Sequence, residues 1–571
     1  GRQPMSTPDG RYILVFNGEI YNYIELRKSL IASGVSFQTS SDTEVLLQML
    51  IRKGTKCLNE LNGMFAFAFF DRKNGKWILA RDHFGIKPLY YITLKNKIVF
   101  ASEIKALLEH PEIKAEYDLE SIHQYLTFQF CLGERTLFRK IQKLAPGSYM
   151  TGTGEKVEAI SQYWRMKFHL DENHDEEYFA SHLRFLIEDG VHLQLRSDVP
   201  LGAYLSGGLD SSTVAAIAAE YIGPGMKAFN GFFPDGPDYD ESNFARVAAE
   251  NVQAELLSIG LSPQQFVEDM PSLIYAMDEP AAGPGLFPQY QVSKMTSRHV
   301  KVVLGGQGGD ELFGGYARYL LGYLEQALKG AIFETQEEGK HVVTLSSIIP
   351  NLPILRSYQP LMRYFWKDGL FEDMDARYFR LINRNSNIKK LLTKDAAAQF
   401  DHPAVFEEFQ KVFNHPDTKS YVNKMIHFDM KEFLPSLLQV EDRVSMAVSI
   451  ESRVPLLDVR IAELMCSMPP KIKFKGGESK SILKKAIKKW IPDSIFKRKD
   501  KMGFPVPLTN WMSKEPVRGF FHDTLLSKAS KQRGLFNPVA LENLIHRETN
   551  FGRQLWGALC LELWHQNFID G

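Results

Sequence analysis

The rhythm of apolar and polar positions divides the chain into two stretches. In residues 1 to about 165, short apolar runs alternate with Gly and Asn turns, which predicts strands at 11–16, 64–71, 76–81 and 89–92. Apolar residues at helical spacing predict helices at 22–33 and 43–52. Residues 147–153 and 156–164 read as a closing hairpin, and the acidic stretch 171–177 as a linker. Beyond it a helix at 177–194 precedes strand-like runs at 199–204, 226–233, 254–261 and 300–304, separated by helical segments such as 213–221 and 243–252. Strands alternating with helices imply a parallel, doubly wound sheet. Residues 317 to about 570 are mostly helical in pattern. The domains expected are therefore 1–170 and 176–571.

Composition narrows the class. The 571 residues are 44% hydrophobic and 24% charged, as in soluble globular proteins. Lys plus Arg (68) equals Asp plus Glu (68), so nothing global argues for nucleic acid or a membrane surface as partner. No apolar run is long enough to span a bilayer. The four cysteines (Cys57, Cys131, Cys466, Cys560) are spaced for neither a disulfide scaffold nor a zinc site, and read as reduced thiols of a cytoplasmic protein. The opening GRQPMSTPDG runs straight into a strand, which is expected of a chain incomplete at its N-terminus.

The richest motif is Leu205-Ser206-Gly207-Gly208-Leu209-Asp210-Ser211-Ser212, between a predicted strand and a predicted helix. A glycine-rich turn at a helix N-terminus offers bare backbone N–H groups to an anion. Serine hydroxyls add donors, and Asp210 adds an oxygen ligand suited to Mg2+. No Lys follows the glycines, so this is not a Walker loop. A second such turn, Gly305-Gly306-Gln307-Gly308-Gly309-Asp310-Glu311, leads to Gly314-Gly315-Tyr316. So many glycines make sense where backbone approaches a ligand closely, and Asp310 could share a magnesium with Asp210. Asp310 and Glu311 could equally cap a helix.

Other motifs say less alone. Arg443, Glu451 and Arg453 sit in an apolar helical context and read first as a buried Arg–carboxylate network. The basic loop 497–501 reads by default as solvated, although one lysine there could meet a departing pyrophosphate. Near the start, Phe16-Asn17-Gly18-Glu19 ends a predicted strand in a turn; an Asn amide and a Gly N–H could form an oxyanion hole, while Asn-Gly alone is only a turn signal. Ser41-Asp42-Thr43-Glu44, Leu61-Asn62-Gly63-Met64, Ala80-Arg81-Asp82-His83 and Ala101-Ser102-Glu103 follow in order.

Taken together, these motifs resemble those of the glutamine-dependent asparagine synthetase family over nearly the whole chain. The resemblance implies an N-terminal glutaminase α/β domain (Ntn-hydrolase, class II amidotransferase) and a C-terminal parallel-sheet ATP-pyrophosphatase domain with helical additions. It implies ATP and Mg2+ as cofactors, glutamine and aspartate as substrates, and amidation of aspartate through an aspartyl-adenylate with release of AMP and pyrophosphate. A homodimer is left open. By the resemblance, Leu205 to Ser211, Gly305, Gly306 and Tyr316 hold ATP, Asp210 and Asp310 hold magnesium, and Lys501 and Gln307 are catalytic. Asn17 and Gly18 form the oxyanion hole, Asn17, Glu19 and Asp42 bind glutamine, and Arg81, Asp82 and 84–85 are structural.

Two departures matter. Gln307 stands where the family often carries Glu, and Gln cannot act as a base. After Asp278-Glu279-Pro280, the stretch Ala281-Ala282-Gly283-Pro284-Gly285 lacks the Asp-Pro-Ser often found there, which leaves open another acceptor carboxylate such as a sugar acid. The family's nucleophile is an N-terminal cysteine, whereas residue 1 is Gly, so this chain is expected not to hydrolyse glutamine while ammonia-dependent synthesis survives.

Overall fold

The computed structural model describes residues 2–95, 97–333, 359–367, 369–385, 388–475, 478–498, 506–547 and 553–570. The chain forms two compact units, one of Gly1–Asp118 with Gly133–Met166, the other of Leu119–Leu132 with Lys167–Gly571. Helix Leu119–Phe128 thus belongs to the second unit although it lies within the first in sequence.

In the first unit β1 (Met5–Ser6), β2 (Tyr12–Ile20), β3 (Gly63–Asp71), β4 (Lys76–Arg81), β8 (Ser148–Thr153) and β9 (Lys156–Gln162) form an antiparallel sheet in that order. A smaller sheet orders β6 (Lys97–Ala101), β5 (Tyr90–Leu94) and β7 (Gln142–Lys143). Strand β3 reads as one apolar run because both its faces are covered. Phe65, Phe67 and Phe69 pack with Leu26, Leu30, Leu46 and Leu50 from helices Tyr23–Ala32 and Asp42–Lys53. Ala66 faces the other way, with Trp77, Leu79 and Met150.

One sequence expectation is corrected here. The strand expected to end at Phe16 runs on to Ile20, so Asn17, Gly18 and Glu19 pair with Ala66, Phe65 and Met64 rather than forming a turn. Apolar alternation stops at Phe16, but backbone pairing needs no apolar side chain.

The second unit carries a five-stranded parallel sheet ordered β12 (Glu255–Gly260), β11 (Lys227–Phe232), β10 (Leu201–Tyr204), β13 (Val302–Leu304) and β14 (Glu451–Arg453). Strand β14 corrects a second expectation: Glu451 and Arg453 lie in a strand, not a helix, pairing with Val302 and Leu304. Three residues are too few to show a period. The strand order reverses between β10 and β13, so the crevice beyond their carboxyl ends is where a doubly wound sheet takes its ligand. Among the described residues, no helix is long and apolar enough to cross a membrane.

Candidate active site

Both glycine-rich loops leave that crevice. The first follows β10 and enters helix Leu209–Ile222, whose N-cap Gly208 makes no side-chain cap bond. Its first-turn N–H groups therefore meet no capping side chain. Ser206 Oγ lies 3.0 Å from Ser211 Oγ, and Ser206 N donates to Ser211 Oγ at 3.2 Å, which folds the loop on itself. The Ser212 hydroxyl is buried with no hydrogen-bond partner among the described residues. The second loop follows β13, where Gly305 N donates to Arg453 O of β14. The two loops interlock: a Cβ on Gly306 would lie 2.6 Å from Ser211 N and 2.8 Å from Asp210 C.

A residue that the sequence reading passed over joins them. Lys480 Nζ lies 2.5 Å from Asp210 Oδ2 and 2.5 Å from Asp310 Oδ1. Burial pulls its pKa down, but the two carboxylates outweigh burial and hold it above the ordinary lysine value. Lys480 immediately precedes helix Ser481–Ile487, with φ of +57°. A cation at a helix N-terminus opposes the helix dipole and must be offset by anions; that was the available signal. Two carboxylates converging on one cation are also the hard-oxygen pair that magnesium takes, so these residues fit that metal.

Glu311 points elsewhere. It is buried and accepts a short hydrogen bond from the Tyr316 hydroxyl. Burial, then the neighbouring charge of Asp310, pushes its carboxyl up to about 7. Gln307 is half-buried in the turn before helix Gly309–Phe313. Lys501 lies outside the described residues. Glu441, also missed, is buried beneath the second loop and accepts from Ser452 Oγ at 2.5 Å and from the Gln289 amide. Arg453 bonds Glu451 at 2.7 Å and the carbonyls of Gln194 and Arg196, while Arg443 bonds the Ala276 carbonyl. These are structural contacts that fix the ends of the sheet.

In the first unit the structure brings Asn17, Gly18, Glu19 and Asp42 together. Asp42 opens helix Asp42–Lys53 behind an N-cap from Ser41, and its Oδ2 accepts from Ile20 N at 3.0 Å. Burial pushes the Asp42 carboxyl up. Asn17 Nδ2 donates to Ser102 Oγ at 3.3 Å, which draws in the later Ala101-Ser102-Glu103 motif. Asp82 is fully buried and accepts backbone N–H bonds from Phe65, Phe84, Ile86 and Lys87. Arg81 donates to the carbonyls of Gly85, Lys87 and Leu144. Cys57, Cys131, Cys466 and Cys560 are all buried, and burial pushes the Cys57 thiol up to about 12. None of the four is poised as a nucleophile.

Known proteins share both parts. Residues 182–566 match the family model of asparagine synthase, and residues 1–164 that of a glutamine amidotransferase domain. Asparagine synthetase (glutamine-hydrolyzing) 1 of Bacillus subtilis is 33% identical over 583 aligned positions, which cover 100% of this chain and 88% of that protein. A putative asparagine synthetase (glutamine-hydrolyzing) of Mycobacterium bovis is 31% identical, over 99% of this chain and 86% of that protein. Asparagine synthetase (glutamine-hydrolyzing) 3 of Bacillus subtilis is 30% identical, over 89% and 78%. Matched by the family model over most of its length, and by relatives along its whole length, the chain belongs to the asparagine synthase family.

Proposed function

We propose that the protein is a glutamine-dependent asparagine synthetase, which activates the side-chain carboxylate of aspartate with ATP and amidates it with ammonia drawn from glutamine. The observation that carries this reading is the meeting of two glycine-rich loops at the β10/β13 crevice, with Lys480 shared by Asp210 and Asp310. Such a site is built for a polyphosphate: bare N–H groups, hydroxyls and a cation on one side, and a carboxylate pair for magnesium on the other.

In this reading a carboxylate oxygen of aspartate attacks the α-phosphorus of ATP, and pyrophosphate leaves with the electrons of the broken P–O bond. The nitrogen of ammonia then attacks the acyl carbon, the C–O bond to AMP breaks, and the nitrogen gives up a proton to solvent. Leu205 to Ser211, with Gly305 and Gly306, cradle the phosphates, and Tyr316 borders the site through its bond to Glu311. Lys480 and Lys501 offset charge on the departing pyrophosphate. Magnesium, when held by Asp210 and Asp310, supplies further positive charge for the triphosphate. Gln307 carries no basic atom and orients the substrate. In the first unit, Asn17, Glu19 and Asp42 hold glutamine, and Asn17 and Gly18 form the oxyanion hole; the nucleophile that attacks the amide is none of Cys57, Cys131, Cys466 and Cys560.

The test is AMP and pyrophosphate formation from ATP with magnesium and ammonium, comparing aspartate with a panel of other carboxylic acids. Aspartate-dependent AMP with equal asparagine is expected. AMP with a different acid only, or with none, would overturn the reading.

A further inference from the structure

The first glycine-rich loop rests on a neighbouring helix. Gly207 has φ of +73°, and a Cβ there would lie 2.5 Å from Ala245 N and 2.5 Å from Phe244 Cβ. Only a glycine lets the loop come this close to the first turn of helix Ser242–Asn251. The direction of the loop's N–H groups therefore depends on where that turn sits. The turn is reached from β11 through residues 233–241, an irregular connection with a further positive φ, +128° at Gly236. Irregular connections hold their ends less firmly than strands or helices do.

Two side chains from the C-terminal part of the chain grip this connection. Near its start, Trp511 Nε1 donates to Asp235 Oδ1 at 2.9 Å. At its end, Arg498 Nη2 makes a short charged hydrogen bond to Glu241, and the guanidinium carbon lies 3.9 Å from the centroid of the Phe244 ring. A guanidinium stacked on a ring is held in orientation by the ring as well as by its ion pair. The Arg498 side chain is 6% exposed and that of Glu241 17%, so water and salt screen the pair little.

Helix stability is no reason for an arginine here. Glu241 is the N-cap residue of helix Ser242–Asn251, yet its side chain caps no N–H. A cation beside a helix N-terminus opposes the helix dipole. Arg498 is thus kept in place by a carboxylate that is not used for capping, and its planar group covers the ring of the residue against which Gly207 packs. Contacts run unbroken from Arg498 through Phe244 to Gly207, one residue before the N-cap of helix Leu209–Ile222.

We propose that Arg498 is a positioning residue for the nucleotide. Clamped to Glu241 and stacked on Phe244, it holds the turn on which Gly207 rests, and with it the N–H groups that the first loop presents to phosphate. This rests on the function proposed above in taking the nucleotide to be ATP. A cradle fixed before binding costs less to order when the polyphosphate arrives. The gain falls on the β- and γ-phosphates, the added negative charge for which a helix N-terminus is suited and which AMP lacks.

The test is calorimetric titration of the full chain with ATP and with AMP, each with magnesium and without an acceptor acid. Arg498→Met and Phe244→Leu should weaken ATP at least about tenfold and AMP less than about twofold. Arg498→Lys, which keeps the ion pair and loses the planar stack, should fall between, and it serves where Arg498→Met does not fold. In turnover, the KM for ATP should rise by the same factor, with kcat and the aspartate KM within about twofold of the parent. Unchanged ATP affinity in these variants would overturn the brace. So would AMP affinity lost in step with ATP, because a general loosening of the unit spares neither nucleotide. A loss confined to ATP, in a protein that forms no asparagine, would leave the brace standing and overturn the proposed function.

Discussion

The Lys480 ammonium lies 2.5 Å from Asp210, and its equal contact with Asp310 makes one cation the common partner of both glycine-rich loops. The Lys480 and Asp210 side chains are only 7% and 6% exposed, so water screens the pair little. Lys480→Met leaves two carboxylates facing each other, and should cost about 3 kcal/mol of stability. Magnesium chloride should restore part of that loss, and sodium chloride at equal ionic strength should not. Because the folded pKa is raised, the lysine's contribution is complete below its ordinary value near pH 10.5 and is lost only as pH rises past it. The effect is therefore constant from pH 5 to about 9. Urea titrations of both proteins, with and without magnesium, check this; equal midpoints would refute it.

Glu311 gives stability a slope of the same sign, in a lower range of pH. Its ordinary value is 4.5, and burial with the charge of Asp310 raises it to about 7 in the folded state. The folded protein therefore binds the proton more tightly than the unfolded chain, and stability falls as pH rises between those two values. Above pH 7 the full penalty applies, about 3 kcal/mol at 1.36 kcal/mol per unit. Glu311→Gln, whose amide oxygen can still accept from Tyr316, should gain about 2 kcal/mol over the parent at pH 8 and nothing at pH 4.5. Melting temperatures across that range decide it. A constant difference between the two proteins would show that Glu311 does not titrate there.

Gly18 and Asn17 are neighbours in β2 with different burdens. Gly18 has φ of +147°, and a Cβ there would collide with the Met64 carbonyl of β3. Gly18→Ala should cost about 3 kcal/mol or more, through strain and disrupted pairing. Asn17 makes one long bond, 3.3 Å to Ser102 Oγ, so Asn17→Ala should cost less than about 1 kcal/mol. Thermal melts of the two variants test the contrast. Equal destabilisation would mean that Asn17 holds the fold rather than waiting for substrate.

Strands and helices flanking the glycine loops were legible because their periods are long and their turns rich in glycine. β3, β4, β10 and the helix after the first loop fall where apolar runs and Gly turns place them. β14 was not legible, because three residues carry no period and pairing to β13 is a long-range event. Nor was the place of helix Leu119–Phe128 in the second unit, since an amphipathic pattern does not name its partner. Glycine loops announce themselves by composition, whereas Lys480, 170 residues beyond Asp310, is one lysine among many until folding brings it between two aspartates.

The interlock of the two loops yields a sharper test than either loop alone. A Cβ on Gly306 would lie 2.6 Å from Ser211 N and 2.9 Å from Asp210 Cβ, closer than real Cβ atoms come. Gly306→Ala must therefore push the second loop off the first, and Asp310 moves with it. The substitution adds no charge and removes no hydrogen bond, so its effect is the separation itself. ATP affinity, measured by calorimetry with magnesium, should fall at least about tenfold, because a preorganised phosphate cradle is lost and must be rebuilt on binding. Asp42 and the backbone it bonds at Ile20 belong to the other unit, so a glutamine analogue should bind there as in the parent. Loss of ATP binding with the analogue unaffected would locate nucleotide recognition at the loop junction. Unchanged ATP affinity would mean that the nucleotide does not use it.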